Sequence, residues 1–298
     1  MIIDMHSHFW PLKYRPPKSK SCLDICSSMA PFDIDANKLY EKMDQNDIKL
    51  SIVLSCLVGT GFPNDEYVEC NDYHIEQANS IPGAFLTFCT ANVEDIPFSL
   101  NEIRRCIEEK GCKGLKLHPN SQKFFPNEER LYPIYELMQE YQLPITFHTG
   151  GIGAKLYLDE YGLPKYFDEV ACKFPDLPII MGHAGRGYYN ETAQILRKYP
   201  NVYADISANI ARLPGQEHLL LKRLLQEVKL WTGSVDKLFF GSDFPVYSQA
   251  YTAILLNRCK DEEDEISITE EDLKKIKSEN AINFLKKYKM IDQDRSFE

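Results

Sequence analysis

The chain has 298 residues, 44% of them hydrophobic and 26% charged, and a net charge of −10 from 34 basic and 44 acidic side chains. A chain of this size builds a core that needs no disulfide or metal staple, and an acidic balance without a basic arm excludes wholesale nucleic-acid binding. No apolar run approaches the roughly 20 residues of a membrane-spanning helix.

The chain opens on Ile2, Ile3 and Met5, a short buried strand closed by His6 and His8. Side chains two apart share one face of a strand, so the two imidazoles sit side by side, with Asp4 on that face a step below. Two imidazoles on a rigid strand end are half of a metal site. A loop from Pro11 to Ile34 follows, with Lys13, Arg15, Lys18 and Lys20 in its first half. Its length suits a lid or a binding loop.

Strict alternation comes next. A helix capped by Asp33 or Asp35 carries Leu39 and Met43 as its apolar stripe, and Lys49–Leu54 reads as strand two. Helix Asp65–Asn79, strand Ala84–Thr90 and helix Leu100–Lys110 come next, then strand Gly114–His118 and helix Leu131–Tyr141. Pro144–Thr149 and Pro178–Gly182 read as strands five and six, each followed by a helix, at Pro164–Phe174 and Asn190–Tyr199. Strand Val202–Ser207, helix His218–Trp231, strand Lys237–Ser242 and a helix from Ala250 complete the pattern. A last helix starts at Thr269, where Thr269 and Asp272 have capping-box spacing, and ends near Tyr288; the tail after Met290 is expected to fray.

Eight βα units with apolar strands predict an α/β fold, a single (β/α)8 TIM barrel spanning residues 1–298. An open doubly wound sheet is the alternative, but no glycine-rich phosphate turn follows the first strand. The nine cysteines include no C-x-x-C pair; the closest spacing is Cys22 to Cys26, and Cys56, Cys89 and Cys112 fall in apolar strand-like runs. They read as reduced thiols of a cytoplasmic protein, as does the lack of a secretory leader ahead of the His6 motif.

In such a barrel the chemistry collects where strands end. Strand one supplies His6 and His8, strand four Lys116 and His118, strand five His148, strand six His183 and strand eight Asp243. Five of the seven histidines thus fall at strand ends, whereas His74 and His218 lie on helices as packing or surface residues. A lone histidine at a strand end is ordinarily a satisfied polar residue. Four or more imidazoles and a carboxylate meeting at one mouth are costly to desolvate unless a divalent cation partners them.

The motifs Ile3-Asp4-Met5-His6-Ser7-His8, Gly114-Leu115-Lys116-Leu117-His118-Pro119, Phe147-His148-Thr149-Gly150, Met181-Gly182-His183-Ala184-Gly185 and Gly241-Ser242-Asp243-Phe244-Pro245 come in that order along nearly the whole chain. Together with the Glu279-Asn280-Ala281 turn they resemble the amidohydrolase superfamily, in its amidohydrolase-related branch of metal-dependent hydrolases and decarboxylases. The resemblance implies that His6, His8, His148 and Asp243 hold a divalent metal, most often zinc. His183 is implied as a further ligand or as the residue that handles protons.

One ion is favoured over two. In two-metal relatives a carboxylated strand-four lysine bridges the ions, and Lys116 lies on that strand, but His118 crowds it, so both are expected to face the substrate. Asp4 is expected to fix the tautomer of His6 or His8. Arg186 suits a bidentate grip on a carboxylate, and Trp10, with Phe9, offers an apolar wall.

The leading expectation is a hydrolase in which metal-activated water, deprotonated by Asp243, attacks a small carboxylate-bearing amide, ester or lactone. The alternative is a non-oxidative decarboxylase of a small unsaturated or aromatic acid, with His183 helping to protonate carbon. A catalytically silent barrel is disfavoured by the competent residue at every ligand position. A phosphoesterase would have only Asn209 and Arg212 to grip phosphate. The partner expected is a small molecule, with no nucleic acid or membrane, in a possible homodimer.

Overall fold

The computed structural model describes residues 1–10, 33–55, 57–152 and 157–297. Lys13, Arg15, Lys18, Lys20, Cys22, Cys26 and Cys56 lie outside the described residues.

Eight parallel strands stand in sequence order: β1 (Ile2–Ser7), β2 (Ile48–Leu54), β3 (Phe85–Thr90), β4 (Leu115–Leu117), β5 (Ile145–His148), β6 (Ile179–Gly182), β7 (Val202–Asp205) and β8 (Leu238–Phe239). The segment after β8 closes the sheet onto β1. Met5 N donates to Phe240 O at 2.9 Å, Asp243 N to His6 O at 2.8 Å and His8 N to Phe244 O at 2.8 Å. The expected (β/α)8 barrel is therefore the fold. Ile3, Leu50, Ile52, Phe88, Leu115, Phe147, Ile180 and Leu238 have no exposed surface, as strands covered on both faces require.

The helices are α1 (Ala36–Gln45), α2 (Asn64–Asn79), α3 (Ile96–Arg104), α4 (Pro119–Gln122), α5 (Tyr132–Tyr141), α6 (Pro164–Lys173), α7 (Tyr189–Lys198), α8 (Leu219–Thr232), α9 (Gln249–Asn257), α10 (Glu270–Lys274) and α11 (Asn280–Lys287). Single π-helical turns, Arg105–Glu109 and Lys275–Glu279, extend α3 and join α10 to α11. Asp35 is the cap of α1, accepting from Lys38 N at 2.9 Å.

Several boundaries move for local reasons. Helix α3 starts at Ile96, ahead of the expected Leu100, because Asp95 accepts from Phe98 N at 3.0 Å and Pro97 is tolerated in a first turn. Strand β8 is shorter than expected because Ser242 N donates instead to the Asp4 carboxylate, at 3.0 Å. The last helix carries the expected capping box, with Asp272 N donating to Thr269 Oγ1 at 3.2 Å and Thr269 N to Asp272 Oδ2 at 2.9 Å, but a π turn interrupts it. Asn280 donates to Val235 O and Leu238 O, both at 2.8 Å, and so ties α11 to β8. The tail does not simply fray: Met290 and Ile291 are buried, and Arg295 donates to Gly83 O at 2.7 Å.

Candidate active site

The strand ends bring His6, His8, Lys116, His118, His148, His183 and Asp243 together at one mouth. His8 Nε2 lies 3.3 Å and His6 Nε2 3.6 Å from Asp243 Oδ1, and Lys116 Nζ lies 3.4 Å from His6 Nε2. The His183 ring is centred 4.7 Å from that of His6, and its Nε2 is 3.0 Å from His148 Nδ1. The His118 ring stacks on His148 at 4.0 Å with 9° between the planes. Asp243 has φ 59° and His183 φ 66°, left-handed conformations that a non-glycine residue adopts at a cost of about 1–3 kcal/mol and that collect at functional sites. Gly241 leaves room for this packing, since a Cβ there would meet Asp205 Oδ1 and His6 Cβ at 2.9 Å each.

The hydrogen-bond network assigns the tautomers. His6 Nδ1 is 2.8 Å from Asp205 Oδ2 and His8 Nδ1 is 2.7 Å from Leu54 O. Both partners only accept, so both Nδ1 atoms carry the proton and both Nε2 atoms present a lone pair. A longer chain reaches His148. The Ser207 hydroxyl donates to Asp205 Oδ1, so Ser207 Oγ, 2.7 Å from His183 Nδ1, accepts there. That leaves a lone pair on His183 Nε2 to accept from His148 Nδ1, and the lone pair of His148 is then on Nε2. His148 Nε2 is buried and has no hydrogen-bond partner among the described residues.

Burial pushes His6, His118 and His148 well below the ordinary histidine range; Lys116 adds to this at His6 and His118, and His118 adds to it at His148. Burial, with His6 beside it, brings His183 down to about 3. These four rings are therefore neutral at pH 7, the form in which imidazole binds a metal. The ligand atoms of His6, His8 and Asp243 all lie within 4.8 Å of one another. His6, His183 and Asp205 are equally close, but there the carboxylate is occupied by N–H and O–H donors.

Asp4 does not fix a histidine tautomer as expected. Its carboxylate accepts from Ser242 Oγ at 2.6 Å, Ser242 N at 3.0 Å, Gln249 Nε2 at 3.0 Å and His6 N at 3.2 Å, so it binds the barrel seam. Asp205 and the Leu54 carbonyl do the orienting instead. Arg186 is half-buried at the mouth, donating to Gly151 O at 3.3 Å and to the Tyr247 hydroxyl at 3.4 Å. Trp10 sets its ring edgewise to His8, with centroids 6.1 Å apart, and its backbone pairs with Ile34. Asn209 donates to His183 O, Ile206 O and Ser207 O, which spends its amide N–H groups on the turn after β7 rather than on a phosphate.

A family model described as amidohydrolase matches residues 3–287. The chain belongs to the amidohydrolase family. The 2-amino-3-carboxymuconate-6-semialdehyde decarboxylase of Dictyostelium discoideum is 22% identical over 261 residues, covering 73% of this amidohydrolase and 72% of that protein. The gamma-resorcylate decarboxylase of a Polaromonas species is 22% identical over 295 residues, covering 82% and 85%. The crystal structure of a Polaromonas dihydroxybenzoic acid decarboxylase, with bound manganese and the inhibitor 2-nitroresorcinol, matches the fold with a TM-score of 0.68 at 20% identity, covering 96% and 97%.

Two residues of the amidohydrolase site are missing from the sequence reading, Asp205 and Ser207. Both lie in the stretch read as strand seven, Asp205 inside it and Ser207 at its end. Their spacing of two, which puts them on one face of a strand, and the presence of a carboxylate in an apolar run were the available signal.

Proposed function

We propose that this amidohydrolase is a metal-dependent, non-oxidative decarboxylase of a small aromatic or unsaturated carboxylic acid. The observation that carries the reading is the convergence of imidazole lone pairs on Asp243: His6 and His8 present acceptor nitrogens 3.6 and 3.3 Å from a carboxylate oxygen. Two ring nitrogens and a carboxylate oxygen at that spacing are arranged as ligands that a shared cation would bring together. We assign His148, whose buried Nε2 has no hydrogen-bond partner among the described residues, as the third nitrogen. The donors therefore fit a divalent ion held by His6, His8 and His148 through Nε2 and by Asp243 through a carboxylate oxygen. Manganese in the Polaromonas structure supports a divalent ion, and zinc suits the same nitrogen-rich set. His183, with both ring nitrogens engaged, fits the proton-handling role better than that of a ligand.

Such an ion supplies a Lewis acid for the negative charge of a bound carboxylate or its ortho hydroxyl. Lys116, beside His6, and Arg186, at the rim, are the cations that draw an acid into the mouth and orient it. His118 shares the Ser121 N–H through Nδ1 at 3.3 Å, which leaves an Nε2–H to donate to the substrate. Trp10 walls the site with an apolar edge. In decarboxylation the bond from ring or vinyl carbon to carboxylate breaks, CO₂ leaves, and the electron pair stays on carbon to take up a proton. A proton from water taken up at His183 Nε2, once that atom is turned away from the His148 Nδ1–H, gives an imidazolium whose Nδ1–H is held by Ser207 Oγ, which in turn is bonded to Asp205. Burial makes that imidazolium a strong acid, ready to pass its proton to the carbon.

The named relatives favour this reaction over the hydrolysis that the sequence put first. The test is a panel of dihydroxybenzoates and unsaturated diacids incubated in D₂O with protein loaded with Mn²⁺ or Zn²⁺. Release of CO₂ with deuterium at the vacated carbon is expected. Products carrying oxygen from labelled water, with no CO₂, would return the reading to a hydrolase.

A further inference from the structure

Three cysteines from the α3–β4 connection and the strand before it, at positions 89, 106 and 112, meet outside the active site. Cys89 is the penultimate residue of β3, Cys106 lies in the π turn after α3, and Cys112 precedes β4; their sulfurs all lie within 4.8 Å of one another. Cys89 and Cys106 have no exposed surface and Cys112 has 1%. A lone buried thiol is ordinarily a small hydrophobe. Three in mutual contact, with polar neighbours, are a different environment. The Thr87 hydroxyl lies 3.5 Å from Cys112 Sγ, and Cys106 Sγ donates to the buried Glu102 carboxylate at 3.3 Å. Arg105 grips that carboxylate through Nε and Nη2, both at 2.8 Å, and thereby places a permanent positive charge next to the cluster. The π turn itself sets Cys106 toward the strands. Turns of this kind are rare and are frequently found at functional sites.

We propose that Cys89, Cys106 and Cys112 form a second cation site, a trigonal set of sulfur donors for one thiophilic d¹⁰ ion. Three thiolates select Cu(I) or Zn(II) over the hard cations. Glu102 is the nearest oxygen, but Arg105 and Asn71, the latter donating at 3.0 Å, already occupy it, and this favours three-coordination by sulfur alone. On binding, each thiol gives up its proton, so three protons leave as one cation enters. A Zn(II) site then carries one net negative charge and a Cu(I) site two, against which Arg105 stands. Because the sulfurs are buried, the ion loads during folding or local opening of the π turn, and its role is to tie the α3 layer to β3 and β4.

The test uses reduced, metal-stripped full-length protein titrated with Cd²⁺ as a spectroscopic probe, with Zn²⁺ and Cu⁺ as competing arms. A sulfur-to-metal charge-transfer band saturating at a single equivalent per chain is expected. It should be lost in Cys106→Ser and retained in His6→Gln, whose altered residue bears no sulfur. X-ray absorption on the unmodified protein, loaded to a single equivalent, should count three sulfur neighbours, a readout that does not depend on a cysteine variant folding. No thiolate band, a band that survives Cys106→Ser and Cys112→Ala but disappears in Cys22→Ser/Cys26→Ser, or a sulfur count below three would each overturn the proposal.

Discussion

Asp205 accepts from His6 Nδ1, from Ser207 and from the backbone N–H of His183 at once, so one carboxylate orients both a proposed ligand and the proposed proton carrier. Asp205→Asn keeps the shape but turns part of the acceptor into a donor, which opposes the Nδ1–H tautomer of His6. Metal affinity should fall about 10–100-fold, as read by competition with a chromophoric chelator. Ser207→Ala should lower turnover and weaken metal binding less than Asp205→Asn does, because it loosens His183 and, through it, His148 while leaving the His6 contact to Asp205 intact. His74 tests the histidines outside the site. It is buried, donates from Nδ1 to Cys70 O at 2.7 Å, and is brought down to about 4 by burial. The unfolded chain binds that proton near pH 6.5, so between pH 6.5 and 4 the unfolded state holds more protons than the folded one. His74 therefore contributes stability above pH 6.5 that is lost as pH falls toward 4, about 3 kcal/mol in full. Denaturant midpoints across that range should show a slope that His74→Phe reduces by the share of one proton, the buried histidines of the site supplying the rest.

At the scale of elements, the site depends on strand ends approaching more closely than side chains permit. Gly150 follows the His148 strand with φ +78°, and a Cβ there would meet Gly185 O at 2.3 Å, in the turn that carries His183. Gly111 has a similar φ of +80° with nothing within 4 Å. Gly111→Ala should therefore cost only backbone strain, about 1 kcal/mol, whereas Gly150→Ala must also separate two strand ends. The expected result is a small Tm shift for the first and a loss of activity, with a larger shift, for the second. Much of this level was legible: strand and helix order, the Thr269 cap and the rim positions of the histidines follow from apolar periodicity and side-chain type. Helix α4 was not legible. It is four residues long and starts on His118 as its cap, and so short a turn leaves no periodic trace.

For the whole molecule, barrel closure and site assembly are one event. Asp4 binds Ser242 and Gln249 across the seam between β1 and the segment after β8, and Asp243 N is bonded to His6 O in the same seam. Asp4→Ala strands buried donors on both sides and should destabilise the fold by about 3 kcal/mol, read from the urea midpoint. Since the proposed ligands come from β1, β5 and the segment after β8, a bound ion would brace the same seam. Chelation should lower Tm, by the equivalent of about 2.7 kcal/mol for metal present at 100 times its Kd, and re-addition should restore it.

The sequence by itself determined the barrel, its order of strands and the residue types at its rim, because short apolar strand runs, helix caps and motif spacing are local properties written into consecutive residues. Only the tertiary structure decided that Asp205, and not Asp4, orients His6, that His183 is engaged at both nitrogens, and that three cysteines from a strand, a π turn and a loop touch. Those facts depend on which side chains meet after the elements pack, and a contact between residues on different elements leaves no mark on the spacing of either one.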